Sequence, residues 1–510
     1  MRRRTVRGVL ALTGLWFVAS AHIGSSLVVQ DGMAGPYSIR VLVRPPGVIP
    51  GLVEVVVRST APVRPTSVTV RPALWRFGLK GAPPAEPTTP VPGEDGTFST
   101  NVWIMESGSY AFHVFASGPA GEGSLVVPVS SAATTASTVP PWLGGILLVL
   151  SGFLVVGLIA IVGAASRESV LAPGRSAGGP DIRRARRAMT VAGCLIAVTL
   201  TGGWTWWNAV DRDYRRRLDK PLAVEGTVTA GAERALTLRV TDSSWSYVDP
   251  KQSRRRVQIG TPVMPDHGKL MHLFLIEAGA RGAITHVHPR RSDVSTFTTP
   301  LTGIPAGTYW LFADVVRESG YSVSMADTVV VPAGTSAPNG DGDDAWALAP
   351  ASADRGSATL SDGATMSIRV EGLPVVARDV TIHARVTNAD GTPAILVPWL
   401  GMSGHAIVVR TDGRVFMHVH PMGTASMAAQ ERLLRREAGD TVNHGEAQPV
   451  SSSTMDAASP AMSMRMAAPS ATGDVSFPVA FPSAGTYRVF VQVRRTSGGI
   501  ETGALTVTVP

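Results

Sequence analysis

Apolar and polar residues alternate with a period of two along much of this chain, as they do in strands that bury one face. Tyr37-Ser-Ile-Arg-Val-Leu-Val, Val53-Glu-Val-Val-Val, Ser67-Val-Thr-Val and Ala111-Phe-His-Val-Phe follow one another between Pro- and Gly-rich turns, notably 81–94. Short strands at this spacing predict an antiparallel β-sandwich over residues 34–130. The same organisation returns twice. Ala306-Gly-Thr-Tyr-Trp-Leu-Phe-Ala-Asp-Val-Val-Arg matches Ala484-Gly-Thr-Tyr-Arg-Val-Phe-Val-Gln-Val-Arg-Arg, and Gly108-Ser-Tyr-Ala-Phe-His-Val-Phe is a shorter cousin. In each, glycine makes the turn and the following tyrosine is placed to pin the corner. The repeat divides the chain into three sandwich modules, at 34–130, 222–332 and 352–510.

Three other segments are apolar without alternation. Trp142 to Ala165 is free of charge and long enough to cross a bilayer as a helix. Ala188 to Val210 is a second span, with Trp204, Trp206 and Trp207 gathered at one end like an interfacial belt. The shorter run from Val9 to Ala21 follows Arg2, Arg3 and Arg4 and ends in Ala19-Ser20-Ala21, so 1–21 reads as a secretory signal or an anchor helix. The loop 166–187 carries Arg167, Arg175, Arg183, Arg184, Arg186 and Arg187 against Glu168 and Asp181. Positive charge stays on the cytoplasmic side, which sends the modules to the periplasm or cell exterior.

The totals agree with this division. Charged residues are 16% of the chain and hydrophobic ones 44%, a balance suited to partial embedding in lipid. The net charge of +8 lies largely beside the apolar spans, so it speaks for membrane anchoring rather than nucleic-acid binding. Cys194, the one cysteine, stands within a span. That excludes an internal disulfide and any site built from several thiolates. Residues 333–351 form a Gly-, Pro- and Asp-rich linker. Its Asn339-Gly-Asp-Gly-Asp-Asp stretch fails as an EF-hand, because Asp344 and Pro350 stand where that loop needs glycine and glutamate. The third module carries an insertion, 423–472, with a short helix expected from Ala428 to Glu437 and a disordered remainder.

The chemistry is concentrated in histidine. His272 precedes Ile284-Thr-His286-Val-His288-Pro, and His405 precedes Phe416-Met-His418-Val-His420-Pro. On a strand, His-x-His projects both imidazoles from one face about 7 Å apart at the backbone. A preceding hairpin strand can set the earlier histidine opposite them. Three neutral imidazoles so arranged suit copper or zinc, which implies one site in each module. Met271 stands beside the first site, Met402 and Met417 beside the second, and His267 offers a further ligand. A structural reading also fits: His-x-His-Pro can be a strand corner inherited by both copies.

Methionine favours the softer metal. Eight of the sixteen fall between Met402 and Met466, and Met462, Met464 and Met466 alternate in a polar segment where core packing gives no reason for them. Thioether sulfur selects Cu(I). Cleavage after Ala21 would leave His22 with a free amine, a chelating pair that His113 in the same module could complete.

Ala34-Gly-Pro-Tyr-Ser-Ile-Arg-Val, the strands after it and a terminal His22 make the first module resemble the YtkA-like and CopC-like copper-binding sandwiches of bacterial envelopes. The resemblance implies copper ligands at His22 and His113. The acidic partner usual beside the second histidine has no counterpart, since Ala111 and Phe115 flank it. The later modules resemble cupredoxin-like or immunoglobulin-like domains without the cysteine ligand of blue-copper carriers.

The expected fold class is therefore mainly β: three antiparallel β-sandwich modules, two transmembrane helices and an N-terminal signal or anchor helix. The expected function is binding copper, with zinc as the alternative metal, outside the cytoplasmic membrane for buffering, delivery or sensing. An envelope metal transporter is the expected partner, beside the bilayer itself. A non-metal adhesion or scaffold protein is the rival. No catalytic signature stands beside the histidines, so no enzyme is expected.

Overall fold

A computed structural model describes residues 27–230, 233–245, 262–279, 282–334, 340–348, 356–439 and 470–510. Segment 1–21, His22 and the Met462, Met464 and Met466 tract lie outside the described residues. The chain is mainly β, its strands paired antiparallel throughout, with two long apolar helices.

The first module packs a five-stranded sheet, in the order Val28–Ala34, Tyr37–Arg44, Gly51–Ser59, Thr97–Ile104 and Thr89–Pro90, on a four-stranded one built around Ser67–Leu74, Gly108–Gly118 and Gly121–Ser131. Its first strand starts before residue 34. Gln30, Asp31 and Gly32 interrupt the apolar alternation there, yet the strand pairs in full with its neighbour.

The second and third modules repeat each other's register. In the second, His272–Glu277 lies between Ala283–Val287 and Gly307–Arg317; in the third, His405–Arg410 lies between Phe416–Val419 and Gly485–Arg495. His272 faces Asp314 and Phe274 faces both Phe312 and His286; correspondingly, His405 faces Gln492 and Ile407 faces both Phe490 and His418. Ala345–Leu348 lies in the expected linker, yet it pairs with Ala283–Val287 as an edge strand of the second module.

The repeated tyrosine closes all three corners. The hydroxyls of Tyr110, Tyr309 and Tyr487 donate to the carbonyls of Glu106, Pro305 and Ser483 at 2.8, 2.9 and 2.7 Å. Such a bond ties each strand to its turn at about 1 kcal/mol.

Alternation sends Leu273 and Leu275 into the second module's core and Phe274 and Ile276 out of it. The outward residues are buried as well. They meet Ile407, Val409, Phe416 and Phe490 of the third module, with Phe312 stacked on Phe416 at 4.4 Å. The two modules thus pack sheet against sheet through their histidine-bearing faces, which fixes where the histidines go.

Helix α1 (Pro141–Glu168) and helix α2 (Gly179–Arg216) are both long and apolar enough to span a membrane. At 1.5 Å per residue, α1 is about 42 Å long, against a hydrocarbon core of about 30 Å. Gly163 lets the two approach closely: a Cβ there would sit 2.6 Å from the Met189 sulfur. Helix α2 runs beyond the expected span at both ends, and its last turn docks on the first module through the Tyr214 hydroxyl, 3.3 Å from the Ile49 and Thr135 carbonyls. Helix α3 (Met427–Glu437) opens the insertion, capped by the Ser426 hydroxyl, which accepts from the Ala429 amide.

Candidate metal centre

Packing the two sheets face to face gathers the histidines into one buried cluster. Within the second module, ring centroids of His272, His286 and His288 lie 4.8 to 5.4 Å apart. Within the third, those of His405, His418 and His420 lie 4.5 to 5.4 Å apart. In each trio one ring nitrogen per residue falls within 4.8 Å of the others. The trios also touch: His272 to His418 is 5.2 Å, His286 to His418 5.5 Å and His286 to His405 5.8 Å. His267 adds a seventh ring, 5.0 Å from His420 and 6.1 Å from His272. The sequence led to one trio in each module; the structure gathers those same trios and sets them side by side.

Hydrogen bonds around the second module's trio decide which nitrogens are free. His286 Nδ1 lies 3.2 Å from Gln492 Oε1, and His272 Nε2 lies 3.2 Å from the Asp266 carbonyl. Both oxygens are acceptors, so each ring spends its single N–H outward. What remains is His272 Nδ1 facing His286 Nε2 at 3.1 Å, lone pair toward lone pair. Two neutral rings hold two protons for three contacts, and the middle contact goes unserved. A cation held there would resolve this, since two ligands about 2.0 Å from one ion in tetrahedral geometry lie about 3.3 Å apart. His288 completes the set: its Nδ1 donates to Asp344 Oδ1 at 2.9 Å, and its buried Nε2 has no hydrogen-bond partner among the described residues.

The third module's trio is less tied. Both nitrogens of His405, and Nε2 of His418, are buried without a hydrogen-bond partner among the described residues. His418 Nδ1 lies 3.8 Å from Asp314 Oδ2. Contacts therefore cross between modules: Asp314 of the second lies beside His418 of the third, and Gln492 of the third hydrogen-bonds His286 of the second. Outer partners of this kind fix tautomer and ring angle for a metal.

Burial keeps the rings neutral. It pushes His272 down to about 4 and His420 down to about 3, and His286, His288, His405 and His418 fall well below the ordinary value, with neighbouring histidines adding to the effect. Burial likewise raises Asp314 to about 7 and Asp344 to about 6. Asp266 is opposed by its own burial, but His267, His420, His272 and the Ser426 hydroxyl hold it below the ordinary range.

The walls come from all three modules. Asp266 accepts from the Ser426 hydroxyl at 3.0 Å and from the Ala428 amide at 3.2 Å, tying the second module to the start of α3. Gly423, just past His420, sits so close to the first module that a Cβ would lie 1.9 Å from the Val29 carbonyl. With φ at +123° it also holds a backbone conformation that side chains disfavour. Next to the cluster opens a cavity of about 530 Å³ whose lining includes His272, His418, His420, Asp266, Asp314 and, just past α2, Lys220.

Other expected ligands go elsewhere. Met271 and Met417 pack into the cores of their own modules, because strand alternation turns each away from the histidine beside it. Met402 is buried in the turn it closes with Trp399. His113 lies apart from the cluster: its Nε2 pairs with Glu437 of α3 and its ring stacks on Phe115. Glu437 reaches His113 from the third module's insertion. The linker carboxylates are engaged too, Asp341 and Asp343 by Lys269 at 2.7 and 3.0 Å, and Asp343 by Arg494 at 2.9 Å.

The cluster's neighbours that the sequence did not single out include Asp266, Asp314, Asp344, Trp399 and Gln492. Trp399 lies 4.6 Å from His405 and 5.3 Å from His286, ring to ring. Its signal was Pro-x-x-Gly-x-x-x-His, present as Pro265 to His272 and as Pro398 to His405.

Residues 358–510 match a family model described as a domain of unknown function, DUF8832. That covers the third module alone. No curated protein matches the chain. Among solved structures, similarity is found to the chicken CNTN1 FN1–FN3 domains, with 9% identity, a TM-score of 0.14 and coverage of 94% of this chain and 98% of that one. Dimeric latent PorU from Porphyromonas gingivalis gives 9%, 0.14, 95% and 34%, and the fibronectin(III)-like modules of CbhA from Clostridium thermocellum give 9%, 0.12, 56% and 94%. The strand pairings define the fold.

Proposed function

We propose that this chain is a membrane-anchored metal-binding protein of the cell envelope, holding copper between its second and third modules to buffer, deliver or sense it. One observation carries the reading. Six converging imidazoles are buried and neutral, and several of their nitrogens lack any partner among the described residues. An unserved buried nitrogen costs about 1–3 kcal/mol, and a cluster of them is explained by a ligand that uses their lone pairs. Neutral imidazole suits copper and zinc alike. Copper is favoured by the methionine-rich insertion, where Met462, Met464 and Met466 would capture Cu(I) and pass it to the histidines.

Helices α1 and α2 anchor the chain, with the arginine-rich loop between them in the cytoplasm and the modules outside. Arg212, Arg215, Arg216 and Arg217 at the outer end of α2 oppose this orientation but are outnumbered by the six arginines of the loop. The bilayer and an envelope metal transporter are the partners in this reading. His22 and His113 remain a subsidiary copper pair of the first module, with Glu437 as the acidic neighbour.

The test is metal analysis of the full chain purified in detergent, loaded with Cu(I), Cu(II) or Zn(II) and freed of excess. Stoichiometric copper is expected in the wild type and its loss in a His286→Ala, His418→Ala double variant. A folded wild-type chain that retains neither copper nor zinc overturns the proposal.

A further inference from the structure

The two trios are as close to each other as their own members are. Rings within a trio lie 4.5 to 5.4 Å apart, and rings across the module boundary lie 5.2 to 5.8 Å apart. Two ions, one in each trio, would therefore be near neighbours, not independent occupants of two domains.

Charge points the same way. Three carboxylates border the cluster: Asp266 beside His267, Asp314 beside His418 and Asp344 on His288. Carboxylates so placed can balance cations held among neutral imidazoles, given the cost of burying unpaired charge. The outer partners also cross the boundary, Asp314 from the second module to His418 and Gln492 from the third to His286, so neither half is complete without the other module.

From this geometry we infer that the cluster is one dinuclear centre shared between the second and third modules. One ion takes His272 Nδ1, His286 Nε2 and His288 Nε2; the other takes His405, His418 and His420. The rings that meet across the boundary at 5.2 to 5.8 Å make the two ions close neighbours. His272, His418 and His420 reach the cavity, so the open side of both ions faces the same space and a single small anion or water could bridge them there. This rests on the metal-binding reading above and adds to it the number of ions and their coupling.

The experiment is spin counting on the detergent-purified full chain, loaded with Cu(II) and kept oxidised with ferricyanide. Copper per chain is measured by elemental analysis. Spins in the native sample are counted against the same sample after acid denaturation, which separates any coupled ions. The expected result is two coppers per chain with a native signal that is a small fraction of the denatured one. In His288→Ala, one copper per chain with a full one-spin signal is expected. Two coppers with full native signal, or one copper in the wild type, would overturn the dinuclear centre while leaving metal binding intact. No retained copper would overturn the dinuclear copper centre, and failure to retain zinc as well would sink the metal-binding reading with it.

Discussion

The second and third modules offer the same three histidines at the same register positions, but they surround them differently. Where the second has Asp266 and His267 in its turn, the third has Trp399 and Leu400, with His267 and Leu400 at matching φ of 54° and 52°. Where the second pairs Asp314 with His272, the third pairs Gln492 with His405. The second half thus contributes charge and an additional imidazole, whereas the third contributes an apolar wall and a neutral amide. Duplication kept the frame that aims the rings; the side chains around the frame diverged so that each half supplies what the other lacks.

The largest effect should come from breaking the frame both halves share. Phe312 is buried and stacked on Phe416 between the sheets, so Phe312→Ala should cost about 3–5 kcal/mol in urea unfolding. If the loss is below about 1 kcal/mol, the two modules do not depend on this interface.

Acid should act next most strongly, and on both halves together. The buried histidines bind protons far less readily folded than unfolded, at about 4 for His272 and about 3 for His420 against about 6.5 in an unfolded chain. As pH falls below about 6.5 the unfolded state takes up protons first, so metal-free stability should drop steadily towards pH 4. Asp314 and Asp344, raised by burial, work in the opposite direction but are outnumbered by six imidazoles. Thermal melts across pH, without and with copper, check this. A flat metal-free profile would mean the rings are not buried and neutral.

The asymmetric supports allow a finer comparison. Asp344→Asn removes the charged acceptor that orients His288 and should weaken metal binding by about 10–100-fold in competition with a chelator. Gln492→Ala, which removes a neutral partner from His286, should cost less. Reversal of that order would place the dominant support in the third module. The smallest effect belongs to the corner: Tyr487→Phe should lose about 1 kcal/mol of stability and leave metal binding unchanged.

Much of this was readable from residue order. The strand alternation, the tyrosine corners, both long apolar helices and the histidine trios all follow from local periodicity. What periodicity could not supply was the meeting of the two sheets. Its trace was there: Leu273-Phe-Leu-Ile and Ala406-Ile-Val-Val are unbroken apolar runs, as strands covered on both faces are. Read as one-sided strands, they gave two separate sites. Asp314, Gln492 and Glu437 were beyond reach for another reason. Each supports a histidine in a different module, and nothing in a single sequence pairs residues so far apart.

In the proposed centre, histidine nitrogen gathered from two modules forms the metal's immediate surroundings. X-ray absorption on the copper-loaded full chain tests this most directly. A first shell of imidazole nitrogens at about 2.0 Å with no sulfur is expected. A shell dominated by thioether sulfur would move the metal to the methionine-rich insertion and contradict it.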